Sequence, residues 1–179
     1  MSAKFKDPQH IDMARLAAEA QSLSGRWPLA GMSRLADLHL GAGLPEVEIA
    51  WSARGELRPV TGAEPQVWLH LQARTELALC CQRCLGPVST PVEVDRDFLF
   101  VEGEALATEL DADSEDDVLA LQRWTDLIEL IEDELLLALP LVPRHEACPQ
   151  PLPQPVDELD EAAEEHPFAA LAALKKGAN

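Results

Sequence analysis

The chain has 179 residues, 47% hydrophobic and only 4% aromatic, with no Tyr. That suffices for one domain of ordinary size with a core built mainly from Leu, Val and Ala, and it excludes a protein disordered throughout. With 32 acidic against 14 basic residues the formal charge is -18, a balance that repels phosphate backbones and attracts basic partners.

Lys4 and Lys6 are not followed by an apolar core of the kind a secretory leader needs. The greasiest run, from Leu127 to Leu139, is too short to span a bilayer and carries Glu129, Glu132, Asp133 and Glu134. The expectation is a cytoplasmic protein with no membrane association and with reduced cysteines.

In chain order, residues 8–22 read as a helix. Asp7 can cap it, Pro8 fits its first turn, Ile11, Leu16 and Ala20 give it an apolar side, and Gly25 ends it. From Trp27 to Leu40 the apolar residues suit short extended pieces interrupted by Gly31, Gly41 and Gly43. An antiparallel β-meander follows over about residues 47–101. Val47, Ile49 and Trp51 share one face of its first strand. Val67, Leu69, Leu71 and Ala73 mark the second, with a phase slip near Arg74 before Leu77 and Leu79; Val88, Val92, Val94 and Phe98 mark the third.

Between Glu102 and Asp117 lie eight carboxylates and no positive charge, the composition of a solvated acidic loop. Residues 118–122 suit an edge strand. Thr125 then caps a helix over about 125–139, with Leu127, Ile128, Ile131, Leu135 and Leu139 on its buried face and the acids mostly away from it. Pro140 and Pro143 stop it. Residues 149–166 form a Pro-rich acidic linker, and residues 167–176 a short amphipathic helix carrying Phe168, Leu171 and Leu174. That stripe reads either as packing on its own domain or as a tethered partner-binding motif. The fold class expected is α+β: an antiparallel sheet with one major amphipathic helix packed on it, plus an acidic C-terminal tail of low order.

Chemistry concentrates where the second strand turns into the third. Cys81 and Cys84 sit two residues apart at a hairpin end, the spacing of half a tetrahedral zinc site, and His145 and Cys148 are the candidates to complete it. Three readings stay open: a structural zinc site, inert thiols, and a redox pair. The roughly sixty residues between the halves weigh against zinc. The absence of a following helix N-terminus weighs against redox chemistry. Cys80 reads as a small core residue. No phosphate loop, nucleophile elbow or His-Glu-x-x-His motif is present, so no catalytic residue and no bound cofactor beyond that candidate zinc are expected.

Three features together resemble the bacterial YceD family, the large ribosomal RNA subunit accumulation proteins. They are Cys81-Gln82-Arg83-Cys84 after a strand, the helix from Asp126-Leu127 through Glu132-Asp133-Glu134-Leu135 to Leu139-Pro140, and the tail Pro167-Phe168-Ala169 with Leu171, Leu174 and Lys175. The resemblance implies a non-enzymatic role in synthesis, processing or stability of large-subunit ribosomal RNA. Some relatives carry a second cysteine pair after the helix, where this chain has His145 and Cys148. Charge reconciles such a role with an acidic chain if the partner is a basic ribosomal protein or a large-subunit precursor, with little direct non-specific RNA binding. The rivals are a zinc- or thiol-dependent enzyme of RNA maturation and an acidic chaperone unconnected with RNA.

Overall fold

Apolar–polar alternation over three long stretches builds most of a five-stranded sheet. A computed structural model describes residues 8–41 and 46–149. The chain divides into two units, Met1–Pro149 and Gln150–Asn179, and every described residue belongs to the first. The expected linker beyond residue 149, the helix at 167–176 and the stripe of Phe168, Leu171 and Leu174 lie outside the described residues.

The elements run α1 (Met13–Ala18), β1 (Ser22–Pro28), a 3₁₀ turn (Leu29–Gly31), α2 (Ser33–Ala36), β2 (Glu48–Arg58), β3 (Gln66–Cys80), β4 (Pro87–Val101), α3 (Glu104–Asp111), β5 (Asp117–Ala120) and α4 (Leu127–Leu137). The sheet order is β1-β2-β3-β4-β5. The first four strands pair antiparallel in sequence, whereas β5 pairs parallel to β4. The fold is α+β with a mixed sheet. Parallel pairing requires a crossover, and α3 supplies it. The stretch expected as a solvated acidic loop is therefore partly helical, and Ala107 of α3 packs with Trp68, Leu99 and Val118 on one side of the sheet.

The other side of the sheet carries the main core. Ile49 and Ala53 of β2, Leu69, Leu71, Ala73, Leu77 and Leu79 of β3, and Val88, Val92, Val94 and Phe98 of β4 all point there. The pairing of β3 with β4 runs without a bulge from Val67 to Cys80, so there is no phase slip. Thr75 holds the inward register, and its hydroxyl donates to the Glu48 carbonyl at 3.2 Å. Leu127, Ile131 and Leu135 of α4 close the core together with Ile11, Met13 and Leu16.

The N-terminal helix is shorter than its pattern suggests. Asp12 caps it, accepting the Arg15 N–H at 2.9 Å, and Ala20 turns out of it at φ 46. Gly25, expected to end the helix, lies within β1 opposite Trp51. The segment expected as extended pieces contains helical turns instead, because Leu29, Met32 and Leu35 recur every three residues and are all buried. On α4 the N-cap is Asp126, whose Oδ1 accepts from the N–H groups of Ile128 and Glu129 at 2.9 and 3.1 Å. Thr125 instead bridges to Ile11. Glu132 and Glu134, expected to face away from the core, are 7% and 9% exposed.

A candidate metal centre at the β3–β4 hairpin

The hairpin that joins β3 to β4 is a tight knuckle. The Cys81 N–H donates to the Gly86 carbonyl at 2.9 Å and the Leu85 N–H to the Cys81 carbonyl at 2.8 Å. Leu85 adopts φ 61, a left-handed conformation that costs a branched residue of order 1 kcal/mol or more and that gathers at ligand clamps. The β3 alternation decides which cysteine turns inward. Leu77, Leu79 and Cys81 share the core side, and Cys81 is fully buried. Cys80, expected in the core, is one register off and partly exposed.

The chain returns to this knuckle after α4. Pro140 and Pro143 forbid further helix, and the Pro143 carbonyl accepts the Gln82 N–H at 2.9 Å. This return closes the sixty-residue gap that sequence spacing set against a shared site. The ligand atoms of Cys81, Cys84, His145 and Cys148 all lie within 4.8 Å of one another. Cys81 Sγ is 3.9 Å from Cys148 Sγ, and Cys84 Sγ is 3.4 Å from His145 Nδ1. A tetrahedral ion with bonds of about 2.3 Å to sulfur and 2.0 Å to nitrogen has ligand–ligand edges of roughly 3.5 to 3.8 Å, so the donors fit.

The histidine is oriented for this task. Its Nε2 lies 3.1 Å from the Pro87 carbonyl, which can only accept. The proton therefore belongs on Nε2, and the Nδ1 lone pair faces the sulfurs. Arg83, between the two knuckle cysteines, reaches the opposite arm. Its Nε donates to Cys148 Sγ at 2.9 Å, and its Nη2 donates to the carbonyls of His145 and Glu146 at 2.9 and 3.2 Å. Burial pushes the Cys81 thiol up, but hydrogen bonds from the backbones of Cys84, His145 and Arg83 outweigh it, giving a pKa of about 5. For Cys84 a hydrogen bond from the Gly86 backbone lowers the pKa, yet burial and the competing Cys148 and Cys81 sulfurs raise it overall. Three sulfurs so crowded can be ionised together only if a cation shares their charge. The group could hold a metal ion.

The structure thus brings together all four residues singled out as candidate ligands. The sequence reading assigned no role to Arg83, although a guanidinium between two thiolate ligands was a legible signal. A separate polar cluster lies on the opposite side of the sheet. Asp97 bonds Arg58 Nη2 and His70 Nδ1, both at 2.7 Å, while the Arg58 guanidinium stacks 4.0 Å over Trp68. The hydrogen bond from Arg58, opposed by burial and aided by His70, holds the Asp97 carboxyl below the usual aspartate range. Among the described residues no helix is long and apolar enough to cross a membrane.

No solved structure matches the chain. A Haemophilus influenzae protein named Large ribosomal RNA subunit accumulation protein YceD is 29% identical over 180 residues, covering 97% of this chain and 98% of its own. Residues 69–175 match the family described as Large ribosomal RNA subunit accumulation protein YceD. That match runs from β3 through the knuckle, the returning arm and the tail, more than half of the sequence, and the chain belongs to the YceD family.

Proposed function

We propose that this protein supports the accumulation of large-subunit ribosomal RNA as a non-enzymatic factor, through contacts with a basic ribosomal protein or a large-subunit assembly intermediate. The family name supplies the setting. What carries the mode of action is where the positive charge is engaged. Arg15, Arg26, Arg34, Arg54, Arg58 and Arg96 each pair with carboxylates of the same fold, and Arg83 is engaged at the knuckle. Cations so occupied are poorly placed to neutralise phosphates, and the surplus of acid favours a cationic protein surface.

In this reading Cys81, Cys84, His145 and Cys148 hold a structural zinc ion, which suits three soft thiolates and one imidazole. A closed four-ligand site cross-links the hairpin to the arm that follows α4 and leaves no open position for substrate.

The test uses the purified full-length chain. It is expected to retain basic large-subunit ribosomal proteins and to co-sediment with large-subunit precursors, and its depletion is expected to lower large-subunit RNA relative to small-subunit RNA. Capture of protein-free ribosomal RNA with a steep salt dependence would overturn the protein-contact mode. RNA cleavage by the purified chain would overturn the non-enzymatic part.

A further inference from the structure

Beside the free edge of β5, α4 leaves an open groove of about 540 Å3. Its apolar lining comes from Phe98, Val118, Leu119, Leu130, Leu136 and Leu137, and its acidic lining from Asp111, Asp117, Asp133 and Glu134. Most of these acids have partners. Asp117 holds Arg96 at 2.5 and 3.2 Å, Asp133 holds Arg34 at 2.6 Å, and Asp111 accepts the Val118 N–H at 3.0 Å.

Glu134 differs. Its side chain is 11% exposed and lines the groove, and among the described residues its carboxylate accepts no hydrogen bond from the protein. Its nearest cation, Arg96, stands 3.9 Å away and is already committed to Asp117. A largely buried carboxylate that shares its cation at 3.9 Å still gains from a closer one. Next to it on the same helix, Leu137 is 78% exposed, far more than a leucine at the rim of a core requires.

We infer that this groove seats a lysine- or arginine-bearing segment of a protein partner, its cationic head on Glu134 and its aliphatic stem along Leu136 and Leu137. The match is chemical: lysine and arginine combine an apolar stem with a charged head, and the groove sets apolar surface directly beside a carboxylate that makes no hydrogen bond among the described residues. The inference rests on the reading that the partner is a basic protein and assigns that partner a place.

The test is fluorescence anisotropy of the full-length chain, at about 0.15 M salt, with a synthetic peptide alternating leucine with lysine and arginine. Glu134→Gln and Leu137→Ser are each expected to weaken binding about tenfold, as loss of a desolvated charge or an anchor does. Glu64→Gln, an exposed acid on the distant β2–β3 turn, is expected to leave binding unchanged. The melting temperature of Glu134→Gln should not fall, which separates lost binding from lost fold. Equal weakening by all three variants, or by none, overturns the groove while leaving the basic-partner reading standing. No binding by the wild-type chain of either this peptide or a purified basic ribosomal protein overturns both.

Discussion

Glu132 of α4 caps α2 across the core. Its Oε1 accepts the backbone N–H groups of Arg34 and Leu35 at 2.8 and 3.1 Å, while its Oε2 takes the Arg34 guanidinium at 3.2 and 3.0 Å. A helix of four residues cannot hold itself together in water. Its orphan N–H groups are satisfied from ninety-eight residues away in sequence, which explains why a carboxylate lies on the buried face of α4.

Removing that carboxylate leaves buried donors unpaired. Glu132→Ala is expected to cost about 3 kcal/mol, seen as a melting temperature lower by roughly 6 to 12 °C. Glu132→Gln keeps an acceptor for the backbone and should recover about half of the loss. Equal stability of both variants with wild type, by urea titration, would remove Glu132 from this role.

Gly55 of β2 lies against the backbone of α1. A β-carbon there would stand 2.6 Å from the Leu16 carbonyl carbon and 2.7 Å from the Ala17 nitrogen, closer than atoms can approach. Backbone cannot swing aside as a side chain can, so Gly55→Ala should destabilise by about 2 kcal/mol or more. Gly31, where a β-carbon would meet nothing within 4 Å beyond its own local backbone, serves as the control and should tolerate Ala.

The candidate metal centre is tested by metal content and by amide exchange. Cys84→Ser and His145→Ala should each lose stoichiometric metal, and a chelator should do the same to wild type. Exchange should then accelerate at the Gln82 N–H, which is held by Pro143, while the amides of central β3 stay protected. Arg83→Ala should retain the ligands but bind metal about 10- to 100-fold more weakly, as loss of outer hydrogen bonds to a ligand does.

Stability should carry the signature of Glu134. Burial raises its pKa, the Asp117 and Asp133 charges add to the rise, and Arg96 opposes it. A folded-state value above the unfolded one means that the native chain binds the proton more tightly. The contribution is therefore complete below the ordinary glutamate range and is lost as pH rises through the folded value. Glu134→Gln removes that loss, so its stability relative to wild type should be greater at pH 7 than at pH 4 in denaturant titrations. A constant difference between the two pH values would show that Glu134 is solvated.

The apolar alternation of residues 66–80 and 87–101 and the three- and four-residue spacing from Leu127 to Leu135 were legible because burial on one side imposes a period that local sequence records. The identity of the four metal-ligand candidates was legible for a similar reason, since thiols and imidazole announce their chemistry by type alone. The tertiary structure decided what depended on distant partners. It placed α3 where acidic composition suggested a loop, because Ala107 finds Trp68 and Leu99 to cover. It turned the segment around Leu35 helical because Glu132 supplies the cap. It closed the distance from Cys84 to His145, since two prolines end α4 and turn the chain back to the knuckle. Periodicity is a local property, whereas capping, crossover and ligand convergence are set by which surfaces meet once the chain has folded.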